Sequence, residues 1–314
     1  MTTPTAVLLL AYGTPSMPDE VEPYFTHIRG GRTPAPEAVR RLQERYTLIG
    51  GRTPLLEITE ETARALQHAL DAEAPSAYRT YIGMKHWHPF IADTVRRMAD
   101  DGIRRVIAVV LAPHYSRMSV GGYRGYLDTA VAGLDAPMDI HFVERWGLEP
   151  AFIAMMHGRV VEALDGFPPD AGAVCVVFSA HSLPERIRTW NDPYESELLE
   201  SCSAVADRAG LSDWRFAWQS AGATGEPWLG PDIVDYLAVL HAEGVRAVLS
   251  VPIGFVCDHL EVLYDIDHEA AAAARALGMT LRRTRMPNAS PELVRTLRAV
   301  VARAERDAGV AVPP

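Results

Sequence analysis

The chain has 314 residues, 48% hydrophobic and 22% charged, an ordinary globular composition that excludes disorder and fibrous repeats. Forty acidic against 30 basic side chains give a formal net charge of −10 with no Lys/Arg run, which argues against a general nucleic-acid binder. The apolar run at the N-terminus is short and lacks a preceding positive region, and no other stretch approaches bilayer length, so a cytoplasmic chain without a membrane partner is expected.

Short β-rich runs bounded by turns predict strands at 6–12, 78–84, 106–112 and 138–144, then at 173–180, 214–219, 245–251 and 280–285. Amphipathic patterns between and after them predict helices at 36–48, 57–72, 90–101, 150–164, 195–209, 231–243, 260–277 and 291–307. Strands alternating with helices call for parallel sheets covered on both faces. The halves also echo each other: L-L-A-Y-G-T-P (9–15) matches F-S-A-H-S-L-P (178–184), and V-V-L-A-P-H-Y-S (109–116) matches L-S-V-P-I-G-F-V (249–256). The expected organisation is an α/β pseudo-repeat of two Rossmann-like domains, 1–148 and 149–290, with the helix at 291–307 able to join the first.

Ligands of open parallel sheets bind outside the carboxyl ends of the strands. The residues at those ends are Tyr12, Lys85, His86, His114, His181, Gln219 and the stretch F-V-C-D-H-L-E-V-L-Y-D-I-D-H-E at 255–269. At about 100° per residue, Asp258, Asp265 and Glu269 share a narrow arc of a helix, flanked by Glu261 and His268. Spacing alone leaves two readings: a solvated acidic face with Asp258 as N-cap, or a carboxylate line that takes protons or holds a hydrated cation. His181 alone reads as a structural or surface imidazole. Paired across a cleft with Glu261, it suits a weak, transient Fe²⁺ site or a proton-abstracting pair.

Arg29, Arg32, Arg45 and Arg52, with Tyr46 and Thr53, surround the two Gly-Gly turns of H-I-R-G-G-R-T-P (27–34) and E-R-Y-T-L-I-G-G-R-T-P (44–54). They form either a carboxylate-binding set or ordinary loop arginines, since Lys85 is the only lysine and arginine is this chain's usual cation. Neither G-x-S-x-G, G-x-G-x-x-G nor a Walker motif occurs, and G-G-Y-R-G at 121–125 is too loose for a phosphate loop. Cys175, Cys202 and Cys257 are far apart and form no C-x-x-C, so neither a zinc knuckle nor a disulfide framework is expected.

Taken in order, L-L-A-Y-G-T-P, R-Y-T-L-I-G-G-R-T-P-L, Y-I-G-M-K-H-W-H-P-F, V-L-A-P-H-Y-S, F-S-A-H-S-L-P, W-Q-S-A-G, P-W-L-G-P-D and V-P-I-G-F-V-C-D-H-L-E-V-L-Y-D resemble the ferrochelatases over nearly the whole chain. The likeness is greatest to the coproporphyrin III ferrochelatases of the coproporphyrin-dependent bacterial haem pathway. The resemblance implies a monomeric lyase of the chelatase fold, with parallel four-stranded sheets and a cleft between its domains. There Fe²⁺ is inserted into coproporphyrin III, and walls that bend the ring expose its nitrogen lone pairs.

It makes His181 and Glu261 the metal-binding, proton-accepting pair, and Asp265 and Glu269 an acidic path for metal or protons. Tyr12, where protoporphyrin-using relatives have methionine, becomes an axial ligand of product iron. Arg29, Arg45, Tyr46, Thr53 and Tyr123 become contacts to the four propionates. Two departures from the family pattern are Gly30, often basic in relatives, and Thr53, serine in some. Fe²⁺ is implied as substrate, with no permanently bound cofactor and, given no cysteine in 300–314, no iron–sulfur cluster. Hand-over to the next haem-pathway enzyme is implied for the product. The alternatives are a same-fold chelatase for protoporphyrin IX or another tetrapyrrole and metal, and a non-catalytic tetrapyrrole or metal carrier.

Overall fold

Strand β1 (Thr5–Ala11) is buried at every position, as a central parallel strand must be when helices cover both faces of its sheet. The computed structural model describes residues 3–222 and 224–308; residues 309–314 of the tail discussed above therefore lie outside the described residues. β1 pairs in parallel with β2 (Tyr78–Met84) and β3 (Arg105–Val110), and β3 with β4 (Asp139–Val143), giving the order β2-β1-β3-β4. The second sheet repeats this order as β6-β5-β7-β8, with β5 (Val174–His181), β6 (Trp214–Gln219), β7 (Ala247–Val251) and β8 (Thr280–Arg283). All eight predicted strands are present, and the expected α/β pair of four-stranded parallel sheets is what forms.

The helices are α1 (Val21–Ile28), α2 (Pro36–Leu48), α3 (Leu55–Glu73), α4 (Ile91–Asp100), α5 (Val120–Ala132), α6 (Pro150–Asp165), α7 (Tyr194–Arg208), α8 (Ile233–Ala242), α9 (Ala271–Ala276) and α10 (Pro291–Asp307). The sequence reading lacked α1 and α5. In α1 a proline in the first turn disguises the pattern, although proline is tolerated there. In α5 the opening V-G-G-Y-R-G has poor helix propensity. Burial of Val120, Tyr123 and Leu127 against the outer face of the first sheet, beside α4, overrides it.

One continuous apolar layer takes a face from each sheet: Val7 and Leu9 of β1, Val176 and Phe178 of β5, with Phe152 of α6 and Leu297 of α10. Helix α10 packs on α3 and α6, and Tyr78 of β2 donates a 2.5 Å hydrogen bond to Glu305 of α10. Separate outer cores cover the far faces of the two sheets. A fourth, small cluster joins Val21, Val39 and Tyr46 to Leu260. Through it the segment carrying α1 and α2 closes over the carboxyl ends of the strands and meets the acidic helix of the other half.

Candidate active site

The carboxyl ends of both sheets open on one cleft of about 340 Å³, lined among others by Tyr12, Lys85, His114, Tyr123, His181, Trp228, His259 and Glu261. The two halves are fastened to each other by hydrogen bonds nearby. Glu197 of α7 accepts from the backbone N–H of Tyr115 at 2.8 Å, and Asp192 from that of Arg117 at 2.8 Å. His114 lies 2.9 Å from Ser201, whose hydroxyl donates to the Gly147 carbonyl; the imidazole Nε2–H is therefore the donor to Ser201. Burial holds His114 at a pKa of about 3, a neutral wall residue.

His181 is the last residue of β5. Its Nδ1 lies 2.5 Å from the Ser182 carbonyl; a carbonyl only accepts, so Nδ1 carries the proton and Nε2 is left with a lone pair. Burial lowers its pKa, partly offset by the Glu261 carboxylate and the Ser182 carbonyl, so the ring is a neutral base. His259 repeats the device, donating from Nδ1 to the Cys257 carbonyl at 2.8 Å and turning Nε2 to Glu261 Oε2 at 3.4 Å. That Glu261 oxygen is buried without a hydrogen-bond partner. The lone pair of His181 and a Glu261 carboxylate oxygen without a hydrogen-bond partner therefore stand on the second half's wall, with His259 beside that oxygen.

Glu261 is the N-cap of a π-helical stretch, Val262–Ala270, which runs into α9. The expected α-helix is thus a wider one, with i→i+5 bonds, of the kind that recurs at functional sites. Along it Glu261 faces the cleft, Asp265 is 5% exposed and Glu269 is exposed. Burial, opposed by the Ser220 hydroxyl and reinforced by Glu261, raises the Asp265 carboxyl to about 7. Ser220 donates to its Oδ2, and Arg45 of α2 stands 3.9 Å from Oδ1.

Asp258 is not the N-cap expected from its position. Its oxygens accept from Arg283 at 3.0 Å and Asn288 at 2.7 Å, because the chain before the helix turns toward the loop after β8. Arg283 also forks onto Asp267, so Asp258 belongs to a structural ion-pair network outside the cleft.

On the first half, Tyr12 stands just past β1, 40% exposed into the cleft, its ring 4.6 Å from that of His86. Burial and the Glu261 carboxylate push its phenol well above the ordinary range. Burial and the neighbouring Lys85 hold His86 at a pKa of about 3. Tyr123 is buried in the wall. Tyr46, Thr53 and Thr14 are buried; the Thr53 hydroxyl has no partner, whereas those of Tyr46 and Thr14 lie against each other. Arg45 lies along the acidic helix, its guanidinium 4.6 Å above the Tyr264 ring. Arg29 is exposed at the end of α1, over Phe25.

Tyr12, Tyr123, His181 and Glu261 thus meet in one cleft, Asp265 and Glu269 lead away from it, and Arg29, Arg45, Tyr46 and Thr53 occupy the overlying segment. Sequence reasoning passed over His259 and Ser220. His259 sits inside the quoted D-H-L-E, where a histidine two residues from an acid was the available signal; nothing local marks Ser220. No three His, Cys, Asp or Glu side chains among the described residues converge on a point where a metal could sit. No helix among the described residues is long and apolar enough to cross a membrane.

Two parallel sheets of one order, opening on a shared cleft that carries imidazole and carboxylate, define a chelatase-type α/β protein. Among solved structures, SirB from Bacillus subtilis with Fe³⁺ superposes over 98% of each chain with a TM-score of 0.61 at 11% identity, a likeness of fold. Residues 4–305 match the ferrochelatase family model. A ferrochelatase from Herpetosiphon aurantiacus is 50% identical over 96% of this chain and 99% of its own. A coproporphyrin III ferrochelatase from Oceanobacillus iheyensis is 43% identical over 94% and 95%. The chain belongs to the ferrochelatase family, enzymes that insert iron into a porphyrin.

Proposed function

We propose that this ferrochelatase acts on coproporphyrin III, converting it with Fe²⁺ to Fe-coproporphyrin III and two protons, and that His181 and Glu261 meet the metal and take the pyrrole protons. The observation that carries the reading is the pairing of a bare imidazole Nε2 on His181 with an unpartnered, buried Glu261 oxygen in one cleft. A base of lowered pKa stays unprotonated at neutral pH and so remains free for a cation or a proton.

Asp265, balanced near neutrality, and the exposed Glu269 continue the line outwards, as a path for protons leaving or iron arriving. Tyr12 faces the ring from the opposite wall as the axial oxygen for product iron. The Thr53 hydroxyl lacks a partner, and a propionate oxygen is an acceptor of the kind it needs; Tyr46, whose hydroxyl lies against that of Thr14, is a further contact. Arg29, Arg45 and Tyr123 complete the propionate contacts. The names of relatives such as that of Oceanobacillus iheyensis favour coproporphyrin over protoporphyrin. The reading invokes a monomer with no resident cofactor or iron–sulfur cluster, and release of product to the next haem-pathway enzyme.

The test is anaerobic incubation of the protein with Fe²⁺ and either coproporphyrin III or protoporphyrin IX, followed by absorption spectra. Faster insertion into coproporphyrin is expected. Faster insertion into protoporphyrin overturns the substrate assignment, and binding without insertion into either ring overturns the enzymatic one.

A further inference from the structure

Lys85 is the only lysine of the chain, and its place in the fold is unusual for a cation. It follows β2, and its backbone N–H still donates to the Ala11 carbonyl at 3.0 Å, extending the ladder beside Tyr12. That pairing fixes the Cα at the cleft wall, which the residue lines. The ammonium lies 5.1 Å from the Tyr123 ring centroid and 5.8 Å from that of Tyr126. Gly122 leaves it room, since a Cβ there would stand 2.7 Å from Nζ.

Tyrosine faces attract a cation but do not neutralise it. Among the described residues no carboxylate forms an ion pair with it, and burial lowers its pKa. The acids of the cleft are on the opposite wall. A half-buried charge without a counter-ion is unfavourable in the empty protein, and a ligand carrying a carboxylate removes that penalty on binding.

We propose that Lys85 is an anion anchor of the first half's wall, its ammonium taking one carboxylate of the ring substituents on the side turned to the cleft, and so helps set how the ring is turned in the cleft. The inference rests on the reading of this cleft as the porphyrin site. It assigns Lys85 a positioning and specificity role, distinct from the bases of the other wall, and requires that the anchored ring bear at least one ionised carboxylate.

Because the lysine is unique, it can be observed by itself. Reductive methylation with ¹³C-formaldehyde, on protein without a lysine-containing tag, leaves a single dimethyl-lysine resonance besides that of the terminal amine. Its titration is followed with metal-free coproporphyrin III and, in the same detergent, with the uncharged tetramethyl ester. The expected result is a pKa that rises with the acid and does not rise with the ester. In parallel, fluorescence titration of Lys85→Gln should show affinity for coproporphyrin III weakened roughly tenfold or more, the loss of one charge-assisted contact. Affinity for the ester should stay unchanged, and Lys85→Arg should recover part of the loss. Mesoporphyrin, with two propionates, locates the anchor: equal losses assign a propionate shared by both rings, and a loss confined to coproporphyrin assigns one of the additional pair.

A resonance that shifts alike with acid and ester, or a Lys85→Gln variant that binds both as before, overturns the proposal. These readouts use the metal-free ring, so they stand apart from the insertion assay. Iron insertion without a Lys85 effect removes the anchor alone, and a failed insertion assay with an intact Lys85 effect removes the catalytic reading alone.

Discussion

The two halves of the molecule share one strand order and present their central strands to one cleft, yet they end those strands differently. β5 continues far enough for His181 to pair in register with Gln219 of β6, so the imidazole is held inside a ladder. β1 stops at Ala11, opposite Met84, and Tyr12 projects beyond it. Just past the flanking strand the first half carries Lys85, whereas the second carries Ser220, which serves the Asp265 carboxylate. Each tip is backed by a glycine: a Cβ on Gly13 would lie 2.8 Å from Met84 Cβ, and one on Gly254 2.8 Å from Ala180 Cβ. The repeat therefore fixes where a ligand sits, and the tip residues divide the labour. On the reading proposed above, the phenol, ammonium and hydroxyl groups of one wall hold the ring, and the imidazole lone pair and carboxylates of the other accept protons and metal.

The sharpest way to break this division is to exchange one group on each wall. Glu261→Gln keeps the shape but removes the anionic acceptor, so kcat should fall by on the order of 10²–10⁴-fold. Fluorescence titration should find coproporphyrin affinity nearly unchanged. Tyr12→Phe should do the reverse, leaving the insertion rate within roughly tenfold while altering the absorption spectrum of the bound iron product. Normal turnover by Glu261→Gln would show that the acceptor lies elsewhere on that wall.

A smaller effect concerns stability. Asp265 has a folded pKa of about 7 against 3.8 unperturbed, so folding favours the neutral carboxyl. The ionised form is penalised increasingly as pH rises from the lower value to the higher, with a ceiling of roughly 4 kcal/mol. Asp265→Asn should therefore raise the Tm at about pH 8, by on the order of 2–4 °C per kcal/mol relieved, and leave it unchanged near pH 3.5. Thermal melts at the two pH values check this; a gain that is equal at both would mean that packing, and not charge, is responsible.

Much of this architecture could be read from local pattern, because a strand buried on both faces is written as a short apolar run, and L-L-A-Y-G and F-S-A-H-S each carry a candidate site residue at the end of one. What stayed hidden depended on distant partners. The glycines of α5 hid its helical pattern, which holds because Tyr123 and Leu127 are buried in a core. The arc drawn for Asp258, Asp265 and Glu269 assumed an α-helix, and neither the π turns nor the capture of Asp258 by Arg283 and Asn288 has a signature in spacing. His259 was visible but mute, since its role follows from which ring nitrogen the Cys257 carbonyl engages.

The smallest expected effect sharpens the holding wall. Arg29 and Arg45 look alike in sequence, each in the overlying segment and each implied as a propionate contact, but the fold treats them unequally. Arg45 leans on Tyr264 and faces Asp265, whereas Arg29 is exposed, its guanidinium over the Phe25 ring. An exposed, salt-screened charge contributes little to a contact, about 1 kcal/mol or less. Arg29→Ala should accordingly raise KM for coproporphyrin by no more than about fivefold, leave kcat unchanged, and lose even that difference at high ionic strength. Steady-state kinetics across a salt series measures all three. A larger, salt-insensitive rise would mean that the α1–α2 segment folds down on the bound ring and buries Arg29 against a propionate, making that segment a moving part of the site.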